Sequence, residues 1–444
     1  MSSWSTSPAP AMQRSSTPSF DGTSTMCTSG RTELPVEHCA TPSACRRCKP
    51  CRWCGLEAGC AGRFLLAWGG NHFTPLLHMY EVRGGYASWQ ANLLLGTYVA
   101  GLVPGLLIAS AISDRHGRKP VLFGGTLLAI DGSVLLGAGF GSYWLLCVGR
   151  AFAGIGVGVA MSVGTSWIKE LSSPPYDEYS SGSAGARRPS LALTGGFALG
   201  ALVTGLLAQW GPAPQVTPYA VHIALSLVAL AVLAGAPESL PVASRTDKSW
   251  WQDLRIPSVG HRRFTRLVLP AAPWVFGAAG VAYAIMPAVV QSELGDQATV
   301  YATALTVLTL GTGALVQNAV PAINRRTGGR ALVVGLAAMA AGLALAVIAA
   351  ELANPVIALF VAIALGAAYG ICLVAGLIHV QAIATPQDLA GLTGMYYSLT
   401  YTGFLLPTAL AALLPLVSYG PSLIAVSLIC LGCLLVVIRE SSRQ

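Results

Sequence analysis

Twelve apolar segments follow one another along most of this 444-residue chain, and each is about as long as a helix that crosses a bilayer. They lie near 64–80, 89–112, 120–140, 143–168, 191–210, 219–236, 267–290, 299–322, 331–351, 355–380, 389–415 and 420–438. Apolar residues make up 54% of the chain and charged residues 10%, which excludes an ordinary soluble domain. Because backbone polar groups in lipid must be satisfied internally, the sequence predicts an all-α integral membrane protein with twelve transmembrane helices.

The cations between these segments are concentrated in alternate loops. If the N-terminus is cytoplasmic, the cytoplasmic loops contain nearly all of them, and the opposite loops contain Arg83 alone. Because lysine and arginine accumulate in cytoplasmic loops, we expect both termini on the cytoplasmic side of the plasma membrane. The net charge of +8 follows from this bias, and cations dispersed over several loops do not indicate a nucleic-acid partner.

A short charged turn separates the second and third segments. Gly117 permits the positive φ that such a turn needs, and Asp114 lies at the negative end of its own helix dipole, where a carboxylate needs a cationic partner. The turn resembles the loop signature of the major facilitator superfamily, from which it departs at Ser110, where the pattern has glycine. The resemblance implies a cytoplasmic gate formed by Asp114, Arg115, Gly117, Arg118 and Lys119.

The chain repeats this design in its second half. A shift of 211 residues lays Arg115 and Gly117 onto Arg326 and Gly328, again between the second and third segments of a six-segment half. The resemblance implies two six-helix bundles with substrate bound between them near the midplane. The predicted organisation is a disordered cytoplasmic tail (1–60), two bundles (61–236 and 265–438), a cytoplasmic linker (237–264) and a short cytoplasmic tail (439–444).

Arg150 lies about two turns inside the fourth segment, where an arginine costs on the order of 2.5–3.5 kcal/mol on insertion scales. The segment is similar to a pattern of proton-coupled facilitators whose arginine is linked to proton transfer, although Ala153 replaces its glutamine. Asp131 is the only acid deep within any segment. We therefore predict a proton-linked ion pair of Arg150 and Asp131. The alternative is a static buried ion pair that fastens the third segment to the fourth.

Polar and aromatic residues mark the expected cavity. In the first segment Gly69, Gly70 and Pro75 permit a bend, so Asn71 and His72 can face the cavity, and His72 can couple protons because it titrates near neutrality. This segment resembles that of a group of facilitators from high-GC bacteria. The alternative for Asn71 and His72 is an internally hydrogen-bonded pair. Aromatic rings with one polar edge suit amphiphilic substrates. The further cavity candidates are Trp274, Tyr283, Asn318, Tyr369, Tyr397 and Tyr401.

Small residues form a stripe on the fifth segment, which permits close approach of another helix. This element resembles one associated with exporters, but Ala201 replaces its proline, so the direction of transport is less secure. A generic packing face is the alternative interpretation. The predicted helix-packing glycines are Gly154, Gly196, Gly200 and Gly205.

The first sixty residues are rich in Ser, Thr, Pro and Gly, which predicts disorder, and no cleavable signal is expected. Cysteines recur at three-residue spacing at positions 45, 48, 51 and 54, with Cys39 and Cys60 nearby. Two adjacent Cys-x-x-Cys pairs can bind zinc, but they leave almost no residues to fold a zinc knuckle. We therefore predict an unstructured tail and no metal site.

No phosphate-binding loop, nucleophile elbow or metalloprotease signature is found, which argues against ATP-driven transport and membrane enzymology. The resemblance implies a monomeric secondary transporter without a cofactor, whose partners are a small-molecule substrate, protons and the lipid bilayer. We predict proton-coupled export of small organic or drug-like molecules. One alternative is an uptake symporter or facilitator for a metabolite. The other is a non-transporting membrane sensor whose cysteine tail responds to metal or redox state.

Overall fold

The computed structural model describes residues 52–177, 184–240, 256–385 and 389–442, and the regular structure within these ranges is entirely helical. Ten of the described helices are long and apolar enough to cross a membrane. Two further spans, the first and the eleventh, each consist of shorter helices joined by a break. The resulting number of spans, labelled α1 to α12 below, is the number that the apolar segments predict.

The first half contains α1 to α6. In this half α1 is Arg52–Asn71 followed by Thr74–Leu76 and Leu77–Val82, α2 is Ser88–His116, α3 is Arg118–Ala138, α4 is Tyr143–Val159 continued by Ala160–Gly164 and Thr165–Leu171, α5 is Ala184–Trp210 and α6 is Thr217–Ala234.

The second half contains α7 to α12. Here α7 is Phe264–Val268, Leu269–Gly280, Val281–Ile285 and Met286–Val289 in succession, α8 is Ala298–Gln317, α9 is Ala331–Leu352, α10 is Pro355–Ile383, α11 is Leu389–Tyr401, Thr402–Phe404 and Leu405–Leu413, and α12 is Tyr419–Ser441.

The helix α1 begins earlier than the apolar pattern indicates. Residues 52–60, expected to belong to a disordered tail, form its first turns. They are helical because they have an apolar surface to cover: Leu56 and Ala58 are buried in a cluster with Trp167 and Ile168 of α4. The predicted boundary at residue 60 is therefore too late. The cysteines at positions 39, 45, 48 and 51 lie outside the described residues.

Glycines bring α2 and α4 into backbone contact. A Cβ on Gly154 of α4 would overlap the carbonyl oxygen of Tyr98 on α2, and one on Gly101 of α2 would overlap the carbonyl oxygen of Ala151. The same contact recurs in the second half, where a Cβ on Gly370 of α10 would overlap the carbonyl oxygen of Gly313 on α8. The sequence repeat therefore reappears as a repeated helix packing.

Glycines with positive φ stand at the two charged turns, as the sequence predicts for Gly117. Gly117, which separates α2 from α3, has a φ of 106°, a conformation that strains residues with a side chain. The corresponding turn after α8 has Gly328 and Gly329 at φ of 59° and 85°. The first turn is one residue long, whereas a short helix, Val320–Arg326, stands between the end of α8 and the second turn.

Candidate functional site

A cavity of about 370 Å³ lies between the two halves. Its described walls come from α1, α2, α4 and α5 of the first half and from α7, α8, α10 and α11 of the second. Within the described part of the chain, α3, α6, α9 and α12 contribute no residue to these walls. The first, second, fourth and fifth helices of each half therefore line the cavity.

The cavity extends from the middle of the bundle towards the helix ends next to the cationic loops. Asn71 and Thr74 border its central part, and Arg63 lies on the same helix roughly 12 Å before Asn71. Gln381, near the end of α10, and Thr393, near the start of α11, also line it. The cavity thus reaches the side on which the α2–α3 turn lies.

Helix irregularities coincide with this cavity. A π-helical segment interrupts α4 at Ala160–Gly164 and contains the lining residue Met161. A second one in α7, at Val281–Ile285, contains Tyr283. The break of α11 at Thr402–Phe404 contributes Phe404. Such local changes of helical pitch often occur at functional sites, because they redirect side chains that a regular helix would turn elsewhere.

Five of the predicted cavity residues line the cavity, and two do not. The lining residues are Asn71, Tyr283, Tyr369, Tyr397 and Tyr401. Trp274 is instead buried in the apolar core, and Phe276, two residues further along α7, faces the cavity. Asn318 is exposed at the end of α8, and its neighbour Gln317 lines the wall. A helix turns about 100° per residue, so an error of one or two positions changes the face.

Aromatic rings form one continuous wall of the cavity. The ring of Phe276 on α7 stacks on those of Tyr401 and Phe404 of α11, with centroids 4.3 and 5.1 Å away. Tyr98 of α2 lies 6.3 Å from both of these α11 rings. The hydroxyl group of Tyr401 donates to the sulfur of Met161 at 3.4 Å. We call these residues (Tyr98, Phe276, Tyr401 and Phe404) the aromatic wall, and they join the two halves.

Arg150 lies where α1, α2 and α4 meet, and it is 1% exposed. Its Nε donates to the carbonyl oxygen of Leu94 at 3.1 Å, and its Nη1 donates to that of Gly70 at 3.3 Å. Its guanidinium carbon lies 4.6 Å from the ring centroids of both Phe73 and Tyr98. Cation–π contacts and carbonyl oxygens therefore hold this charge, and it borders the cavity.

The predicted ion pair between Arg150 and Asp131 is wrong. Asp131 is exposed on the outer face of α3, in line with Leu127 and Val134, which are 43% and 47% exposed. Residues three and four apart share one face of a helix, and this face points away from the interior. Asp131 is therefore placed away from the cavity. Its depth in the membrane was predictable from the sequence, but its direction was not.

His72 is fully buried inside the first half and is absent from the described cavity lining. Its ring makes edge contacts with those of Tyr219 and His222 at 4.9 and 5.0 Å, and neither of its ring nitrogens has a hydrogen-bond partner among the described residues. His222 of α6 bonds to Ser133 at 2.8 Å and to the carbonyl oxygen of Leu65 at 3.0 Å. The sequence analysis missed His222.

Asn71 and His72, although adjacent, have separate surroundings. The amide nitrogen of Asn71 donates to the carbonyl oxygen of Phe197 at 3.0 Å, and its amide oxygen accepts from Thr74 at 2.8 Å. The internally hydrogen-bonded Asn71–His72 pair, the alternative left open by the sequence, is therefore not formed.

Arg63 is a second buried cation at the cavity, and the sequence analysis missed it. It is 4% exposed and lines the cavity. Its Nη1 donates to the carbonyl oxygen of Ala160 at 2.6 Å and to the hydroxyl group of Thr165, while its buried Nε has no partner in the described part of the chain. Arg63 stands one residue before the predicted start of the first apolar segment, so it was not considered as a cation within a membrane helix. The early start of α1 was the missing signal.

The charged turn between α2 and α3 is fastened to its own half. Arg118 pairs with Asp114 at 2.5 Å and with Glu170, at the end of α4, at 3.1 Å. The carboxylate of Glu238 accepts from the backbone nitrogens of Arg118 and Lys119, both at 3.0 Å, at the start of α3. A carboxylate there is favourable because a helix N-terminus is positive. Arg115 is exposed.

The remaining predicted glycines lie at close helix contacts. A Cβ on Gly196 of α5 would overlap the carbonyl oxygen of Phe64 on α1, and one on Gly200 would approach Cα of Trp68 to 2.9 Å. A Cβ on Gly205 would overlap Thr303 of α8. The helix α5 therefore contacts both halves. Among the described residues, no three His, Cys, Asp or Glu side chains are grouped as metal ligands.

Comparison with known proteins gives one family match and several partial relatives. The Major Facilitator Superfamily model matches residues 59–412. A segment of 106 residues is 32% identical to a high-affinity fructose transporter of Schizosaccharomyces pombe, and one of 152 residues is 29% identical to a bacillibactin exporter of Bacillus subtilis. The segments cover 24% and 33% of this chain, but only 19% and 37% of those proteins.

A solved structure is similar over most of the chain. The crystal structure of the nucleoside transporter NupG superposes with a TM-score of 0.68, at 13% sequence identity, over 87% of this chain and 98% of that one. At this identity the similarity shows a common fold alone.

Proposed function

This chain belongs to the Major Facilitator Superfamily, and we propose that it works as a monomeric, proton-coupled transporter that exports small organic molecules. The predicted family and the fold of twelve helices in two six-helix bundles are confirmed. The observation that carries the proposal is the cavity of about 370 Å³ between the halves, a size that suits a small ligand. It combines the aromatic wall with buried polar groups, as a site for amphiphilic molecules requires.

The direction of transport is a separate part of the proposal. The similarity to a bacillibactin exporter covers more of this chain than the similarity to a fructose transporter, and it supports export. The fructose transporter supports uptake of a metabolite, which we keep as the second candidate function. Proton coupling is supported by the buried charge of Arg150 and by His72, whose ring nitrogens lack partners. The sensor alternative rests on cysteines that lie mainly outside the described residues.

Transport by purified protein in proteoliposomes tests this function. Candidate substrates are first selected by the rise in melting temperature that they cause, because a ligand that binds the native state stabilises it. In vesicles with an imposed pH gradient, we expect a selected substrate to accumulate against its own gradient and to increase proton flux. Vesicles without protein are the control. Movement that stops at equal concentrations whatever the pH gradient would instead identify a facilitator.

We also propose that the α2–α3 turn is the cytoplasmic gate, and that Asp114 and Arg118 contact the start of α11 when the cavity faces outward. In the state described, Arg118 binds Asp114 and Glu170 of its own half. We expect Asp114→Asn to insert and melt normally and to transport about tenfold more slowly, because it removes one charged hydrogen bond from one state of the gate.

The control for the gate is Glu293→Gln, which neutralises an exposed acid in the loop between α7 and α8. Initial transport rates of both variants are compared with wild type in proteoliposomes. Wild-type rates for Asp114→Asn would contradict the proposal that the α2–α3 turn is the cytoplasmic gate.

We propose that both termini are cytoplasmic and that the protein lies in the plasma membrane, because the loops on that side contain nearly all loop cations. Ser292 lies in the loop between α7 and α8, and Thr327 lies in the loop between α8 and α9. In a cysteine-free background, a cysteine at Ser292 should react with an impermeant thiol reagent in intact cells, and one at Thr327 should not. The reverse labelling pattern would show that the protein has the opposite orientation in the membrane.

A further inference from the structure

We infer that the cavity binds an organic anion, with its acidic group held by Arg63 and its apolar body against the aromatic wall. The inference rests on the proposed transport function and specifies the class of substrate.

The described cavity walls contain two cations and no acid. Arg63 and Arg150 both line the cavity, and their side chains are 4% and 1% exposed. Within the described ranges neither guanidinium group forms an ion pair, and the groups that accept their hydrogen bonds are neutral oxygens. The other described lining residues are uncharged, so the walls have a net positive charge. A buried charge without a partner is costly, and an anionic ligand would offset that cost.

The two arginines differ in how much of their binding capacity is free. Arg150 is held between two rings and donates from two of its nitrogens to carbonyl oxygens. Within the described ranges, Arg63 uses Nη1 for both of its hydrogen bonds, and its buried Nε has no acceptor. A guanidinium group binds carboxylate or phosphate with two parallel hydrogen bonds. Arg63 therefore retains a buried donor that no described group satisfies, and it lines the cavity, so we assign the anchoring of the acid to it.

The rest of the cavity suits an apolar body. Arg63 lies roughly 10 Å before Gly70 along α1, and Gly70 accepts a hydrogen bond from Arg150. Next to Arg150 lies Tyr98 of the aromatic wall, whose ring centroid is 6.3 Å from those of Tyr401 and Phe404. A molecule with an acidic group at one end and an aromatic or aliphatic body at the other matches this sequence of surfaces. A cationic amphiphile would place its charge among arginines.

The test uses three probes that share a naphthalene ring and differ in charge: naphthaleneacetate, the neutral naphthaleneacetamide and the cationic naphthylethylamine. Each is titrated against the purified full-length protein while the melting temperature is recorded. We expect naphthaleneacetate to stabilise the protein with a dissociation constant at least about tenfold lower than that of the amide, because one charged hydrogen bond contributes this much. The amine should not stabilise the protein.

Variants then locate the binding group. Arg63→Gln should weaken binding of naphthaleneacetate by roughly ten- to a hundredfold, and Arg63→Lys should weaken it less because it retains the charge but not the two-pronged geometry. The control is Arg83→Gln, which removes an exposed cation outside the cavity and should leave all three affinities unchanged. If Arg63→Gln does not fold, the comparison of the three probes on the wild-type protein still tests the preference for an anion, and Arg63→Lys still tests the role of Arg63.

The proposal that the cavity binds an anion would be overturned by equal stabilisation by the three probes or by a preference for the amine. It would also be overturned if none of the probes stabilised the protein. Unchanged affinity for naphthaleneacetate in a folded Arg63→Gln protein would overturn the role of Arg63. Failure of transport is distinguishable from either result. Gradient-driven movement of a neutral or cationic solute would support the proposed transport function and contradict the preference for an anion. Selective binding of naphthaleneacetate without any transport would support the anion site and contradict the transport function.

Discussion

Arg150→Leu is expected to abolish accumulation driven by a pH gradient while leaving the protein folded. In the structure Arg150 has no carboxylate partner among the described residues, so its removal leaves no acid buried and unpaired. The variant loses cation–π contacts to Phe73 and Tyr98, but it also avoids the cost of burying a charge. These effects oppose one another, and we expect the free energy of unfolding to change by less than roughly 2 kcal/mol. Melting temperature and uphill uptake into proteoliposomes are the two measurements.

Asp131→Leu is the matched control for Arg150→Leu, because it removes a charge from the middle of the neighbouring helix α3. Asp131 is exposed on α3, so its replacement should retain transport, and the two changes in unfolding free energy should add in the double variant. Recovery of coupled transport in that double variant would show that the two residues pair in another state. A severe loss of stability in Arg150→Leu alone would instead assign Arg150 a structural role.

Gly154→Ala is expected to produce one of the largest losses of stability among single methyl additions. The new Cβ would overlap the carbonyl oxygen of Tyr98 and would lie 2.8 Å from the backbone nitrogen of Leu102. Overpacking typically costs about 1–3 kcal/mol, and we expect the upper part of this range because the obstacle is helix backbone instead of a flexible side chain. The melting temperature in detergent should decrease by roughly 2–4 °C. Gly101→Ala should behave similarly, because its Cβ would overlap the carbonyl oxygen of Ala151.

Two other helical glycines are controls for the same substitution. A Cβ on Gly124 of α3 or on Gly432 of α12 would meet no atom within 4 Å. Alanine has the higher helix propensity, so Gly124→Ala and Gly432→Ala should leave the melting temperature unchanged or slightly raised. Equal melting temperatures for Gly154→Ala and Gly124→Ala would mean that α2 and α4 are further apart in the membrane than the structure shows.

Much of the fold could be predicted because the relevant signals are local. The length of each apolar run determines whether a helix can cross the bilayer, and the cations between the runs bear on orientation. The turn at Gly117 and its repeat at Gly328 indicated two related halves. The start of α1 was missed because polar residues are tolerated in helices that extend beyond the hydrocarbon. Leu56 is covered by residues of α4, a contact that no local pattern reveals.

The candidate site was predicted only in part. Tyr283, Tyr369 and Tyr401 line the cavity as expected, but Trp274 and Asn318 do not. Each error is one of rotation about a helix axis, since the correct lining residues stand one or two positions away. The glutamates that bind the α2–α3 turn come from the ends of α4 and α6, far apart in the sequence.

The sequence by itself determined the membrane class, the number of spans, the repeat and the depth of Arg150 and Asp131. Only the tertiary structure decided which face of each helix borders the cavity, and thus that Arg63 belongs to the site and Asp131 does not. The physical reason is that lipid and protein interior are both apolar. A soluble helix shows by its polar stripe which side meets water, whereas a transmembrane helix is apolar on nearly every side. Its rotation is set by packing against neighbours, as the glycines of α2 and α4 show.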